Sequence, residues 1–170
     1  MNRCPISYRP LPPGHNGRYL KEGLRLLSPS LNNLADLPFD AAEQRQEAAA
    51  RATKMSIQGV QPKLSARLDV RGGRFEVVDQ GGQFILKPPS PSYAHLPENE
   101  DLTMRLATSV GIEVPIHGLV QGRDGSWTYF IRRFDRPKRK TKLAVEDFAQ
   151  LSQRNRTTKY ESSMEQVAAV

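Results

Sequence analysis

Lys54-Met55-Ser56-Ile57-Gln58-Gly59-Val60-Gln61-Pro62-Lys63-Leu64 opens on a lysine and a serine, turns at a glycine and runs into a segment whose apolar residues alternate. Leu64, Ala66 and Leu68 interleave with Ser65, Arg67 and Asp69, which is the period of a half-buried strand. Arg71-Gly72-Gly73 turns the chain and Phe75-Glu76-Val77-Val78 returns it. Gly81-Gly82 then turns it again into Gln83-Phe84-Ile85-Leu86-Lys87. This turn chemistry predicts three strands in an antiparallel meander. Pro88-Pro89-Ser90-Pro91 excludes helix and central strand alike, so the chain loops out there.

Elements on either side are read from the same signals. Upstream, Asp40-Ala41-Ala42-Glu43 has the acidic cap and later glutamate of a helix start, and the alanine-rich stretch carries that helix to about Thr53. Residues 1–38 are rich in Pro, Ser and Asn without a sustained period, and Leu24, Leu26 and Leu27 are expected to tuck this extension against the domain behind it. Downstream, Pro97 suits a first helical position, Glu98 and Glu100 favour the positive helix end, and Gly111 supplies the stop. Two more strands are predicted, around Pro115–Gln121 and Trp127–Phe134, then helices over Val145–Ser152 and from Ser162 onward. Strand, strand, strand, helix, strand, strand is an α+β order with a mostly antiparallel sheet and one crossing helix. It is also the element order of a protein-kinase small lobe.

Composition bounds the function. With 38% hydrophobic and 25% charged residues, the chain has the make-up of a soluble globular protein. The single cysteine, Cys4, excludes an internal disulfide and reads as a small apolar residue near a terminus. That cysteine usage, with no membrane-length apolar run and no signal-peptide pattern at Met1, leads us to expect a cytoplasmic protein without membrane attachment. The net charge of +7 suits an anionic partner. Much of it lies in Arg132, Arg133, Arg136, Lys138, Arg139, Lys140 and Lys142, opposed only by Asp135. Such a run is a solvated loop or a nucleic-acid patch; no aromatic residues interleave it between Arg136 and Lys142 to stack on bases.

Three features carry chemistry. In a strand, Lys87 shares a face with Ile85 and Gln83, while Phe84 and Leu86 turn to the other. If the phenylalanine and leucine face a core, the lysine offers three donors and a point charge to phosphates on the open side; a strand-ending lysine reaching water is the plainer alternative. Helical projection puts Glu98 and Asp101 on a polar arc with Arg105 and Ser109, and puts Glu100 beside Thr103, Met104 and Ala107 at the apolar edge. A carboxylate there needs a partner, and Lys87 is the candidate, although complementarity to the helix N-terminus explains it equally. The Ser56–Lys63 turn, with Gly59 permitting close backbone approach, is a third, weaker phosphate motif. It lacks both the Walker ending and the dinucleotide triple glycine. Met104, Trp127, Tyr129 and Phe130 read as core. His15, His95 and His117 are too scattered to assemble a metal site or a catalytic triad.

As an ordered set, Ser56–Lys63, Phe84–Pro88, Pro97–Glu100, Gly111–Pro115 and Phe130–Arg136, then Glu146–Gln150 and Lys159–Glu161, resemble the HipA family of serine/threonine kinase toxins from bacterial toxin–antitoxin systems. The opening Cys4-Pro5-Ile6 looks like HipT, the family's shorter form. The resemblance implies that Ser56 is an autophosphorylated loop serine and that Gln58, Gly59, Val60, Gln61, Pro62 and Lys63 form the nucleotide loop. It further implies that Lys87 contacts the phosphates of ATP with Glu100 orienting it. The backbone of Arg132, Arg133 and Phe134 would form the adenine hinge, with Asp135 near the ribose; Arg132 stands where the family is often acidic. Magnesium, a cognate antitoxin (a small HipS-like protein and a DNA-binding HipB-like protein), and a translation component such as an aminoacyl-tRNA synthetase as substrate are implied with it. DNA would be engaged only indirectly.

The division expected is an N-terminal extension over 1–38, an ATP-binding lobe over 39–136, a basic linker over 137–142 and the start of a second lobe over 143–170. The family's catalytic aspartate with Asn-His and Lys-Asn, and its later magnesium-binding aspartate, have no counterpart before Val170, so catalysis by this chain alone is not expected. An apolar lobe-to-lobe surface is expected to lie uncovered at the C-terminal helix. Two other functions compete: a non-catalytic module that binds an antitoxin or other partner, which would not need Lys87, and a nucleic-acid binder, whose affinity would fall steeply with salt.

Overall fold

A computed structural model describes residues 2–52, 61–137, 141–155 and 157–170. Lys21–Leu27 forms α1 and Ala41–Arg51 forms α2. Three strands come next, β1 (Leu64–Asp69), β2 (Arg74–Val77) and β3 (Phe84–Lys87), then α3 (Leu96–Ser109), β4 (His117–Gln121) and β5 (Trp127–Arg132). The chain finishes with two short helices, α4 (Phe148–Leu151) and α5 (Met164–Ala168). The fold is α+β, as the element order predicted. No helix among the described residues is long and apolar enough to cross a membrane.

The five strands form one sheet in the order β2-β1-β3-β5-β4, with every neighbouring pair antiparallel. The expected meander is corrected here, because β3 pairs with β1 and not with β2. Val78 N–H donates to Ser65 O and Gln83 N–H to Ala66 O, each at 2.9 Å, so the returning chain passes from one edge of β1 to the other. Gly82 makes that crossing possible. A Cβ there would overlap Ser65 Oγ and stand 3.0 Å from the Ala66 nitrogen.

One face of the sheet is the core. Phe84, Leu86 and Phe130 are at most 1% exposed, and Phe75 meets Phe84 edge-on at 5.1 Å between centroids. The N-terminal 38 residues cover this face with Leu24, Leu27, Leu31, Leu34 and Leu37, and α2 adds Ala48. Leu24 and Leu27 are buried as expected, but Leu26 is 50% exposed, since α1 turns it to the opposite side. Asp40 caps α2 by accepting from Ala42 and Glu43 N–H, while the Glu43 carboxylate accepts from Asp40 N–H, completing the capping box expected from the sequence. From α2, Gln44 is fully buried and accepts from Thr128 Oγ1 at 2.7 Å, which ties the helix to β5.

On the other face α3 lies across β4 and β5. It begins at Leu96, one residue before Pro97, and stops at Gly111, whose φ of +84° suits glycine. Its orientation inverts the projection. Asp101, assigned to the polar arc, is 4% exposed, whereas Leu102, Leu106 and Val110 are 47%, 58% and 74% exposed. The inward arc is polar because it meets polar partners: Arg105 Nε and Nη2 donate to the Asp101 carboxylate at 2.7 and 3.0 Å, and His117 Nδ1 lies 2.8 Å from it. Arg105 also donates to the carbonyls of Pro5 and Ile6, and Leu119 N–H donates to Pro5 O at 3.2 Å. The N-terminal hairpin is thereby stitched along the outer edge of β4.

The basic run is also unlike a solvated loop at its start. Arg132 donates to Leu27 O at 2.8 Å and its guanidinium lies 5.3 Å from the Phe84 ring centroid, while Arg133 is 8% exposed. Lys138, Arg139 and Lys140 lie outside the described residues. Downstream, α4 starts at Phe148, later than expected, because the Asp147 side chain caps it.

Candidate functional site

The register of the sheet sets the site. Ser65, Ile85, Ile131 and His117 pair in one row, and Lys87, Tyr129 and Leu119 in the next, all on the face opposite the phenylalanine core. Lys87 therefore faces away from Phe84 and Leu86, as alternation required. Its ammonium donates to Glu100 Oε2 at 2.6 Å, and the two side chains are 28% and 21% exposed. The strand lysine and the helix glutamate, separated by the proline-rich loop, are thus brought together. The ammonium also stands 5.6 Å from the centroid of the Tyr129 ring. Burial pushes the Tyr129 phenol well above its ordinary range, and the carboxylates of Glu100 and Asp101 raise it further.

This geometry leaves the lysine able to meet an anion. Glu100 fixes a flexible side chain at the mouth of the sheet, and an ammonium with three donors keeps two of them for another acceptor. Ile85 and Ile131, both half-buried, provide an apolar floor beside it. Gln61, from the loop preceding β1, has its Nε2 buried without a hydrogen-bond partner. Among the described residues this amide stands without an acceptor, just ahead of β1. The rest of that loop, with Ser56, Gln58, Gly59 and Val60, lies outside the described residues. Pro62 and Lys63 lead directly into β1.

At the far end of β5 the expected hinge is partly engaged already. Arg132 N–H donates to Ile116 O at 2.7 Å and Arg133 N–H to Gln83 O at 2.8 Å, so both extend the sheet. The Phe134 N–H has no partner among the described residues, and its side chain is 65% exposed. Asp135 is bound by its neighbours: Arg133 donates through Nε at 2.8 Å and Nη2 at 2.5 Å, and Arg136 Nε is 3.4 Å away. The Arg133 hydrogen bonds hold the Asp135 carboxyl below its ordinary range, with the charges of Arg133 and Arg136 adding to the effect. Among the residues read as core, Tyr129 and Phe130 are buried, while Trp127 is half-buried with the Arg18 guanidinium 5.8 Å from its ring centroid.

Sequence reading missed the Asp101–Arg105–His117 cluster. The i,i+4 spacing of Asp101 and Arg105 was visible, but it pointed outward; only the fold brings β4 beneath the helix and supplies the histidine.

Comparisons with known proteins show the family. Residues 55–170 match the family described as HipA-like C-terminal domain. A protein of Haemophilus influenzae named "Putative kinase" is 35% identical over 151 residues, covering 86% of this chain and 43% of that relative. "Putative kinase Y4dM" of Sinorhizobium fredii is 35% identical over 130 residues, covering 68% of this chain and 32% of its own length. The chain thus spans less than half the length of either relative. The match runs over most of these residues and takes in β3, α3 and the ion pair between them, and it places the chain in the HipA family, with a kinase-like small lobe as its fold.

Proposed function

We propose that this chain is the nucleotide-holding part of a HipA-like serine/threonine kinase, with Lys87 as the phosphate contact and Glu100 as the group that positions it. The observation that carries this reading is the half-buried Lys87–Glu100 pair joining β3 to α3 on the open face of the sheet. The orphan amide of Gln61, just before β1, and the unpartnered N–H of Phe134, just after β5, lie at opposite ends of the strands by register, a span that suits a ligand as long as a nucleotide. Phe134 N–H and the Arg132 carbonyl would receive the adenine edge, and Gln58–Lys63 the phosphates. Asp135 could reach a ribose only by sharing a carboxylate already held by two arginines.

ATP would supply the transferable γ-phosphoryl group, and magnesium would neutralise its charge. Family resemblance alone supplies the remainder: phosphorylation of Ser56, a serine or threonine of a translation component as target, an antitoxin as partner and a cytoplasmic setting. The catalytic aspartate of the family matches no stretch of this chain, so we ascribe nucleotide holding to these residues and not the transfer step.

Titration of the protein with ATP and magnesium, monitored by calorimetry, tests the proposal. Replacing Lys87 with alanine removes a charge-assisted hydrogen bond to phosphate, roughly 1.5–3 kcal/mol, and should weaken ATP binding by roughly ten- to a hundredfold. The unfolding midpoint should hardly move, because a partly exposed ion pair contributes at most about 1 kcal/mol. Equal ATP affinity in the two proteins, or no binding by either, would overturn the assignment. The exposed stripe of Leu102, Leu106 and Val110 favours a second reading, a partner-binding module. In that case the same substitution leaves partner affinity intact and ATP binding is absent from the start.

A further inference from the structure

Tyr129 stands between Lys87 and Leu119 in one row of the sheet, paired with the lysine across β3 and β5 and with the leucine across β5 and β4. Residues paired in this way share a face, so the tyrosine ring lies beside the lysine on the side that carries α3. The helix crosses β4 and β5, which puts Tyr129 beneath it and leaves Lys87 at its flank. Tyr129 is 2% exposed, whereas the lysine side chain is 28% exposed. A buried ring thus borders a longer and more flexible side chain.

Two contacts restrain that lysine. Its ammonium donates to Glu100 Oε2 at 2.6 Å and lies 5.6 Å from the centroid of the Tyr129 ring. The carboxylate alone fixes one distance, which a four-carbon stem can satisfy in several rotamers. An aromatic face attracts a cation within about 6 Å of its centroid and so selects among them. The ring is itself held. From β4, on the other side of β5, His117 approaches it at 6.1 Å between centroids, and the imidazole is bound to Asp101 of α3. Burial, with the carboxylates of Glu100 and Asp101, keeps the phenol protonated, so no second charge arises beside the ammonium.

We propose that Tyr129 is a positioning residue for the lysine of the nucleotide site: its ring face keeps the Lys87 ammonium at Glu100, in place for phosphate. This role rests on the reading of Lys87 as a phosphate contact, but the restraint itself exists without nucleotide. NMR of the ligand-free chain therefore comes first. Cross-relaxation should connect the Lys87 ε-methylene protons with the Tyr129 ring protons, and its absence would overturn the proposal whatever the variants do. Tyr129→Met fills the space with a flexible side chain and removes the ring face. The order parameter of the Lys87 ε-methylene group should then fall into the flexible range, below about 0.6, and Tyr129→Phe, which keeps the face, should restore the wild-type value. A tyrosine that only fills the core would lower the unfolding midpoint of Tyr129→Met without loosening Lys87, and equal lysine mobility in the three proteins would sink the idea.

Calorimetry adds the nucleotide arm. Tyr129→Met should weaken ATP binding by roughly three- to tenfold and leave adenosine, which carries no phosphate, bound as before. An ATP affinity that is unchanged, or that falls in step with the affinity for adenosine, would mark a structural role and overturn the assignment. If the wild-type chain binds no ATP, the nucleotide reading falls, and the mobility of Lys87 in the three ligand-free proteins decides the role of Tyr129. Should Tyr129→Met fail to fold, the wild-type cross-relaxation decides it.

Discussion

Replacing Asp101 with alanine should destabilise the protein by about 3–5 kcal/mol, the range for breaking a buried ion pair from one side. The carboxylate is 6% exposed and holds two groups at once, the Arg105 guanidinium and the His117 ring. Alanine would leave the guanidinium with only the Pro5 and Ile6 carbonyls and the imidazole with nothing on Nδ1. Asp101→Asn keeps the volume and one acceptor oxygen, so it should cost clearly less. Urea unfolding monitored through Trp127, the single tryptophan, would measure both. A loss below about 1 kcal/mol in the alanine variant would put Asp101 among ordinary surface ion pairs and undo the account of how α3 is held.

Phe130→Ala should be of similar size, about 3–5 kcal/mol, for a different reason. Phe130 has no exposed surface and stands 5.2 Å from Phe75 and 6.3 Å from Phe84, ring centre to ring centre. The sheet backbone around it is fixed by pairing with both β3 and β4, so the space left by the ring cannot close by local collapse. Phe130→Leu, which refills most of that volume, should recover more than half of the loss. Equal losses in the two variants would mean that ring shape, not volume, dominates this core. The two alanine substitutions act on opposite faces of the sheet without a shared partner, so their effects should add in the double variant.

Much of the candidate site was legible because two local rules sufficed. Alternation along Phe84–Lys87 determined which way the lysine faces, and the cost of an unpaired carboxylate near an apolar arc pointed Glu100 toward it. The inward side of α3 was not legible. A helical projection presumes that one side is apolar because the interior is, but the surface receiving this helix presents a histidine and two backbone carbonyls. Those partners come from residues that are distant in sequence, so no local pattern announces them. The same limit applies to Arg132, which reads as a solvent cation although Leu27 O, distant in sequence, accepts from it. Turn chemistry likewise told where β3 begins but not which edge of β1 it joins, since both edges offer the same hydrogen bonds.

The crossing at Gly82 has a bearing on the order in which the protein assembles. β1 and β2 meet across a short turn and can pair early, at little loop-closure cost. β3 joins β1 across a longer connection, because the chain leaving β2 must cross to the free edge of β1. β5 arrives last, after α3 and β4 have been made, and its pairing with β3 closes the longest loop in the sheet. The lysine strand is therefore central to the sheet, paired to β1 on one side and β5 on the other. Substitutions in the β1–β2 hairpin should slow folding, whereas those in β5 should mainly hasten unfolding, and chevron kinetics on one variant of each kind would reveal the reverse order if it held.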